Sequence, residues 1–397
     1  MAHPHPNAIT VPMGAVHAYP TMPRRSSHAW LKLLGSFLSP ATRKPKRGGA
    51  VKPAKSASKP APPRRSSATR KGTDSTAAAS PKPAKPSAAG RGVRARPSLS
   101  RLGRWTRSFH SARPAPGQLV NHLGYLLYQP PGVQPDGPLV VMLHGCKQTA
   151  EAFALGTRID RLADRHGFSV LLPEQSTGRH AHRCWNWFDP PAPGSDTDAV
   201  GSLVRAMIAR HGFDAGRVYL AGMSAGASLA AQLGLHEPSL FAALALHSGA
   251  VVGAARSSVN ALRVMQHGSR DEPVSLVDAM VTVAGYPGMP VLIVHGELDG
   301  VVAKINAEQA ARQWLRANGL VDEHGAEIAG TRVLTEHGDR LVIDHRRGRR
   351  AIVRVCMVRG LGHAWSGGDD RLPFNAARGP DATAMIWAFF RSRRRES

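Results

Sequence analysis

The fold is decided by the stretch Val218-Tyr219-Leu220-Ala221-Gly222-Met223-Ser224-Ala225-Gly226-Ala227-Ser228-Leu229-Ala230-Ala231-Gln232-Leu233. Its first residues form an apolar run that is typical of a buried strand, and its last residues favour a helix. The two halves meet at the pattern Gly-x-Ser-x-Gly, which places a serine on a sharp turn between a strand and a helix. Glycines two positions before and after Ser224 relieve the crowding of that turn. We therefore predict that Ser224 is a nucleophile with an exposed hydroxyl, beside a helix N-terminus that favours negative charge.

Short apolar runs alternate with amphipathic stretches of helical length on both sides of this unit. Strands are predicted over Gly124–Tyr128, Pro138–Leu143, Phe168–Leu172, Arg217–Ala221, Phe241–His247, Pro290–His295 and Ala351–Val358. Helices are predicted over Ala150–His166, Asp196–His211, Ala225–His236 and Asn306–Asn318. Two further runs, Arg332–Thr335 and Arg340–Asp344, are typical of a hairpin. This alternation predicts an α/β fold with a mostly parallel central sheet and helices on both faces.

A serine nucleophile needs two partners. An alcohol is a weak nucleophile at neutral pH, so a base must take its proton and an acid must orient that base. On a strand–turn–helix serine these partners follow in the order Asp, His, each just past a strand end. Asp299 follows the apolar run Val291-Leu292-Ile293-Val294, and His363 follows the last predicted strand between Gly362 and Ala364. Ser224, Asp299 and His363 are therefore the predicted catalytic residues.

Three other residues compete for the roles of acid and base. Glu297 precedes Asp299 in the same loop, where a loop hydrogen bond is its more common role. Asp271 and Asp299 each end a His-Gly-x-x-Asp pattern, but the residues before the pattern of Asp271 make a poorer buried strand. Asp271 also follows Ser224 by only 47 residues, whereas Asp299 follows it by 75. His247 also ends a strand, but it precedes every candidate acid and so fits the chain order badly.

Acyl transfer also needs backbone N–H donors for the developing oxyanion, and the amides of Ala225 and Cys146 are predicted to supply them. Ala225 follows the nucleophile, and Cys146 follows His144-Gly145 after a buried strand. Cys184 is predicted at the same edge, so a Cys146–Cys184 bridge and two reduced buried thiols both remain open. Cys356 is predicted to be a core residue. Three cysteines supply neither a metal-type pair nor a disulfide scaffold.

Four blocks of the sequence resemble the polyhydroxybutyrate (PHB) depolymerase family of esterases, within the α/β-hydrolase superfamily. The blocks are Leu143-His144-Gly145-Cys146, Cys184-Trp185-Asn186-Trp187, Gly222-Met223-Ser224-Ala225-Gly226 and Gly362-His363-Ala364-Trp365-Ser366-Gly367-Gly368. Their joint order is more specific than any one block, and the resemblance covers about residues 120–390. It implies the α/β-hydrolase fold, a Ser-Asp-His triad and oxyanion amides at Cys146 and Ala225. It also supports a Cys146–Cys184 disulfide.

The resemblance implies a serine esterase that uses no cofactor and no metal. Poly(3-hydroxybutyrate) or short hydroxyalkanoate esters are the expected substrates, and feruloyl or acetylxylan esters are the alternative within the family. An inactive hydrolase-fold binding protein, recruited by its basic arm, is the alternative of another class. The triad alone also leaves a peptidase or a thioesterase open. Trp185, Trp187 and Trp365 are candidates to stack on the substrate, although buried packing is the more frequent role of tryptophan.

Charge divides the chain into two predicted domains, a basic arm over residues 1–104 and the catalytic domain over residues 105–397. Residues 1–100 hold 19 Lys and Arg and one acid, Asp74, which accounts for +18 of the formal net charge of +25. The arm is rich in Pro, Ala, Ser, Lys and Arg and buries little apolar surface, so we expect it to be disordered. It is expected either to bind an anionic surface, such as nucleic acid, anionic lipid or a polymer granule, or to be a solvated linker.

The N-terminal residues fit a secretory signal poorly. Arg24-Arg25 precede a short apolar run over Ala29–Leu38, which Lys32 interrupts, and an amphipathic helix fits this run at least as well. No stretch reaches the ~20 apolar residues of a membrane span. The family resemblance implies an extracellular location, and a cytoplasmic or granule-associated location is the alternative. The sequence leaves the oligomeric state open.

Overall fold

The structure, a computed structural model, describes residues 8–11 and 97–395 of the chain. The predicted basic arm over residues 1–104 lies outside this part of the chain, apart from residues 8–11 and 97–104. Residues 97–103 belong to the folded unit, because Ser100 donates its N–H to Asp160 at 2.6 Å and its hydroxyl to Asp164 at 2.5 Å. Gly103 likewise donates its N–H to the Tyr128 hydroxyl at 3.0 Å. Packing against the domain thus starts several residues before 105.

A sheet of eleven strands forms the centre of the described region. Its strands are β1 (Ala8–Val11), β2 (Arg104–Ala112), β3 (Asn121–Gln129), β4 (Leu139–Leu143), β5 (Ser169–Glu174), β6 (Val218–Met223), β7 (Ala243–His247), β8 (Val291–Gly296), β9 (Thr331–Glu336), β10 (Arg340–Arg347) and β11 (Arg350–Val358). The spatial order is β1-β9-β10-β11-β8-β7-β6-β4-β5-β3-β2. The six central strands, from β11 to β5, are parallel, and antiparallel strands flank them on both sides. Two short strands, β12 (Trp365–Ser366) and β13 (Asn375–Ala376), pair separately.

Helices cover both faces of this sheet. They are α1 (Ala150–Thr157), α2 (Ile159–His166), α3 (Asp196–His211), α4 (Ala225–His236), α5 (Ser258–His267), α6 (Pro273–Asp278), α7 (Ile305–Ala317) and α8 (Ala382–Phe390). The apolar residues of α1, α2 and α8 belong to one buried cluster, and those of α3 to α7 belong to a second. The predicted α/β fold, with a mostly parallel sheet between two helical layers, is confirmed.

Strand β4 shows why the central strands read as continuous apolar runs. Val140 and Met142 pack into the cluster on one face, while Leu139, Val141 and Leu143 pack into the cluster on the other. All five side chains are at most 1% exposed. Burying each large aliphatic side chain stabilises the fold by about 1.5–3 kcal/mol before entropy is counted. Burial on both faces therefore removes the polar alternation that marks half-exposed strands.

The structure differs from the predicted elements in one helix. The single helix predicted over Ala150–His166 is broken at Arg158, which has a left-handed φ of 55°. The carbonyl oxygen of Gly156 accepts the N–H of Asp369 at 2.9 Å. A loop from the C-terminal part of the chain thus supplies the donor that the next turn of a continuous helix would supply. The side chains of Arg158 and Asp369 also form an ion pair at 3.5 Å. Helices α5, α6 and α8 and strands β1, β2, β12 and β13 carried no sequence prediction.

Within residues 8–11 and 97–395, no helix combines the length and the apolar character that crossing a bilayer requires.

Candidate active site

The turn between β6 and α4 carries Ser224 in a strained backbone conformation. Its φ is 55° and its ψ is −123°, a region that residues with a side chain rarely occupy. A Cβ atom built on Gly222 would lie 2.3 Å from the Gly226 carbonyl oxygen, and one built on Gly226 would lie 2.3 Å from the Leu143 carbonyl oxygen. Only glycine therefore fits at these two positions, and the tight turn places Ser224 at the carboxyl edge of the parallel strands.

The structure brings Ser224, His363 and Asp299 into one hydrogen-bonded series. Nε2 of His363 lies 3.0 Å from Oγ of Ser224, and Nδ1 of His363 lies 2.8 Å from Oδ2 of Asp299. Asp299 follows β8, and His363 lies in the loop after β11. The three residues come from the carboxyl ends of three parallel strands, where open α/β sheets place their sites. With Nδ1–H bonded to the carboxylate, Nε2 of His363 is free to accept the proton of the serine hydroxyl.

The carboxyl group of Asp299 is held ionised by its surroundings. Burial alone would raise its pKa, but the charge and hydrogen bond of His363, together with the N–H of Val302, lower the pKa to about 2. Oδ1 accepts the backbone N–H groups of Val301 and Val302 at 2.9 and 2.8 Å. The side chain of Asp299 is 0% exposed. A permanently charged carboxylate therefore faces His363 over the ordinary range of pH.

This depressed pKa predicts a pH dependence of stability. The pKa of Asp299 falls from its ordinary value of 3.8 to about 2 on folding, so the ionised carboxyl stabilises the fold above pH 3.8. That stabilisation is lost as the pH falls through about 2. We expect the free energy of unfolding, measured by urea titration at pH ~4 and pH ~2, to fall further in the wild type than in Asp299→Asn. Equal losses in the two proteins would contradict the assignment.

The loop after β4 places backbone N–H groups next to the serine. A Cβ atom built on Gly145 would lie 3.4 Å from Cβ of Ser224, so this loop passes directly beside the nucleophile. The N–H groups of Cys146 and Ala225 donate to no acceptor among the described residues. Two unpaired donors beside a serine hydroxyl suit a developing oxyanion, which is the role that the sequence predicts for them.

Polar contacts from several elements hold this loop in place. The N–H of Gly145 donates to Oε1 of Gln148 at 2.8 Å, and the indole N–H of Trp185 donates to the His144 carbonyl at 2.9 Å. Nε2 of His144 accepts the N–H of Gln175 at 3.1 Å, and Nδ1–H therefore donates to the Gly145 carbonyl at 2.8 Å. Burial lowers the pKa of His144 to about 4, so its ring stays neutral and keeps this pattern.

The disulfide between Cys146 and Cys184 is present, with a Cα–Cα distance of 4.3 Å. The prediction of this bridge is confirmed. It joins the oxyanion loop to the segment that carries Trp185, across 38 residues of sequence. Cys356 is free and buried, as a core residue of β11.

The structure corrects the expectation that Trp185, Trp187 and Trp365 stack on the substrate. Their exposed fractions are 1%, 3% and 0%, so no ring face is open to a ligand. The indole N–H of Trp365 donates to the Thr383 hydroxyl at 3.0 Å, and its ring stacks on His247. Burial in the core removes the large apolar surfaces of these rings from water. The three tryptophans therefore have the alternative role, buried packing.

The competing acids and base take other positions. Glu297 accepts the N–H of Gly360 at 3.3 Å and stays in the loop beside Asp299. Asp271 is exposed and follows helix α5 rather than a strand, and its N–H donates to the Ser269 hydroxyl at 3.0 Å. His247 is fully buried at the end of β7 and does not contact the Ser224 hydroxyl with its ring.

Sequence reasoning missed the residues that support the series. The N–H groups of Val301 and Val302, the ring of His144 and the side chain of Gln148 all act through specific three-dimensional contacts. The pair His144-Gly145 after a buried strand was the one signal in the sequence, and it indicated a role for the backbone N–H groups of this loop, not for the ring of His144.

Over the described part of the chain, His, Cys, Asp and Glu side chains form no group of three or more that is arranged to hold a metal ion.

Comparisons with known proteins identify a family and several relatives. Residues 123–336 match the esterase PHB depolymerase family. The chain is 32% identical over 210 residues to poly(3-hydroxyalkanoate) depolymerase C of Paucimonas lemoignei, an alignment that covers 51% of this chain and 50% of that protein. It is 30% identical over 226 residues to feruloyl esterase B of Thermothelomyces thermophilus, which covers 54% of this chain and 76% of that protein.

A solved structure shares the fold. The acetyl xylan esterase from Aspergillus awamori superposes with a TM-score of 0.55 at 20% identity, over 72% of this chain and 99% of that one. The chain spans about half the length of the depolymerase that it matches. The family match covers more than half of the chain and contains both the nucleophile turn and Asp299. On this ground the chain belongs to the esterase PHB depolymerase family.

Proposed function

We propose that this protein is a serine esterase that hydrolyses carboxylic esters through an acyl-enzyme, with Ser224, His363 and Asp299 as its triad. The observation that carries the proposal is the continuous hydrogen-bonded series from Oγ of Ser224 through both ring nitrogens of His363 to Asp299. Membership of an esterase family supports the same chemistry. The inactive binding protein is the rival, and an intact series with unpaired oxyanion donors argues against it.

The first half-reaction acylates the serine. Oγ of Ser224 attacks the ester carbonyl while Nε2 of His363 takes its proton, and the carboxylate of Asp299 stabilises the imidazolium that forms. The carbonyl oxygen becomes negatively charged and accepts the N–H groups of Cys146 and Ala225. The bond to the leaving alcohol then breaks, and His363 returns its proton to the departing oxygen.

The second half-reaction releases the acid. Water enters the position left by the alcohol, and Nε2 of His363 takes one of its protons as the oxygen attacks the acyl carbonyl. The same two amides bind the second oxyanion. Collapse of this intermediate breaks the bond to Oγ, and His363 protonates the serine. The site returns to its starting state with no change in oxidation state.

For the substrate, we propose poly(3-hydroxybutyrate) or short hydroxyalkanoate esters. The family match and the depolymerase relative support this choice. Feruloyl or acetylxylan esters are the second candidate, because a feruloyl esterase and an acetylxylan esterase are relatives of similar or slightly lower identity.

The proposal is tested with a panel of esters at equal concentration: 3-hydroxybutyrate dimer and trimer, amorphous poly(3-hydroxybutyrate), methyl ferulate and acetylated xylan. We expect the hydroxybutyrate oligomers to give the highest kcat/KM. A more than about tenfold preference for methyl ferulate or acetylated xylan would favour the second candidate, since a tenfold ratio corresponds to about 1.4 kcal/mol of transition-state binding. Absence of hydrolysis across the panel and with p-nitrophenyl butyrate would reject the esterase proposal and leave the binding protein, the peptidase and the thioesterase as alternatives.

The basic arm is proposed to bind an anionic surface rather than to act as a solvated linker. Its support is the net charge of +18 over residues 1–100, against +7 for the remaining 297 residues. Retention of the full chain on double-stranded DNA, measured against salt concentration, is compared with that of a chain that begins at Pro97. If only the full chain is retained strongly at low salt, and is released as the salt concentration rises, the result supports binding by the arm. Equal retention of the two chains would favour the linker.

A further inference from the structure

The last residue of β7, His247, contacts both halves of the proposed site and has no part in the reaction described above. It is fully buried. Its backbone carbonyl accepts the N–H of Ser224 at 2.9 Å, which holds the main chain of the strained turn. Nε2 of its ring accepts the N–H of Ser366 at 3.2 Å, three residues beyond His363. One residue thus contacts the turn of the nucleophile with its main chain and the loop of the base with its side chain.

These contacts determine the protonation of the ring. An N–H donor at Ser366 requires an unprotonated Nε2, so the proton is on Nδ1, which lies 3.2 Å from the Ser248 hydroxyl. Burial and the neighbouring His295 and His363 together lower the pKa of His247 to about 3, against the charge of Asp299, which raises it. A neutral ring at this place also avoids repelling the imidazolium that forms on His363 in each half-reaction.

Stacking gives the ring a fixed orientation. The rings of His247 and Trp365 are 4.8 Å apart at an angle of 19°. Trp365 is fully buried and lies between His363 and Ser366 in the chain. The acceptor nitrogen of His247 therefore stays directed at the base loop, and the loop is held by a ring stack and a hydrogen bond together.

The sheet does not provide this connection by itself. Ser224 follows β6 and His363 follows β11, and the order β11-β8-β7-β6 separates these strands by two others. Small displacements at each of the three strand pairings between β6 and β11 would add together. A misplacement of about 1 Å at the reacting atoms costs on the order of 10²-fold in rate. His247 stands on β7, between them, and touches both loops directly.

We propose that His247 is a positioning residue that sets the distance between the Ser224 hydroxyl and Nε2 of His363. The role depends on its ring as a neutral hydrogen-bond acceptor for Ser366. This inference rests on the proposed esterase function, and it predicts a loss in kcat that is separate from any loss in stability.

Three substitutions test it. His247→Leu removes the acceptor and places an apolar side chain in the buried position. His247→Gln places a carbonyl oxygen near the position of Nε2, and His247→Asn has an amide too short to reach it. We expect kcat for p-nitrophenyl butyrate to fall about 10- to 100-fold in the Leu and Asn variants. KM should change less than about threefold, because uniform binding is untouched. The Gln variant should recover most of the lost kcat.

The matched control is His345→Leu. His345 is a buried histidine of β10, and its partner residue Val353 pairs with Val291 at the first position of β8, away from the catalytic edge. We expect this variant to lose stability without losing kcat. Urea unfolding of all four variants, and the rate at which a fluorophosphonate labels Ser224, are measured beside the kinetics. If His247→Leu does not fold, the comparison of Gln with Asn carries the test.

Two results would overturn the inference. One is a kcat within twofold of wild type in both the Leu and Asn variants. The other is a Gln variant that is as stable as wild type and as slow as Asn. Both differ from failure of the proposed function, in which the wild-type protein itself would hydrolyse no ester and resist the fluorophosphonate.

Discussion

Replacing Ser224 by alanine is expected to lower kcat for p-nitrophenyl butyrate by about 10⁴-fold or more, to the level that oxyanion stabilisation and binding alone provide. The substitution removes the attacking oxygen, whose distance to Nε2 of His363 is 3.0 Å, and no other nucleophile of the described chain hydrogen-bonds to that nitrogen. Initial rates with p-nitrophenyl acetate and butyrate, for purified wild type and variant, measure the effect.

The control separates chemistry from folding. Alanine at position 224 keeps the strained φ of 55° and lacks only the hydroxyl oxygen, so the free energy of unfolding should change little. A suitable comparison is Ser257→Ala, which removes a serine hydroxyl at a helix N-cap outside the site. Equal background rates of hydrolysis for wild type and Ser224→Ala would reject the enzyme and favour an inactive binding protein.

Asp299→Asn is expected to lower kcat by about 10⁴-fold while leaving the geometry nearly unchanged. The reason lies in the two N–H groups of Val301 and Val302, which donate to Oδ1 at 2.9 and 2.8 Å. They require the asparagine oxygen at that position, so its NH₂ group faces Nδ1 of His363. Nδ1 must then accept, and the proton moves to Nε2, which can no longer take one from Ser224.

Asp271→Asn is the control for this substitution. Asp271 is exposed and belongs to the other His-Gly-x-x-Asp pattern, so its replacement should leave kcat within about twofold. A loss of less than tenfold in Asp299→Asn would contradict the role of Asp299. A large loss in Asp271→Asn instead would assign the acid to the competing pattern.

The sequence predicts the central strands and the two helices α3 and α4 closely because burial leaves a strong signal. A strand covered on both faces is apolar at every position, and Gly212 ends α3 in a left-handed conformation that glycine favours. Elements without such a signal were missed. Strand β2 lies at the edge of the sheet with mostly exposed or half-exposed residues, and α8 is apolar on nearly every face, like a strand.

The candidate site divides in the same way. Chain order and strand ends suffice to select Ser224, Asp299 and His363, because a parallel sheet brings strand ends to one edge. The supporting contacts depend on pairings that no local pattern records. His247 shows this well: the sequence offers it as a rival base, whereas its ring accepts a backbone N–H from the base loop. The local sequence motifs do not predict the burial of Trp185, Trp187 and Trp365 either.

The order of the strands has a consequence for folding. The hydrogen bonds of the series join residues that are 139 and 64 positions apart in the chain. Contacts of such separation form late, because the chain must close long loops before they stabilise anything. His363 also leaves the ribosome after β1 to β11 have been made. A partly folded chain should therefore be unable to cleave esters, and recovery of activity during refolding should coincide with the slowest phase of sheet assembly.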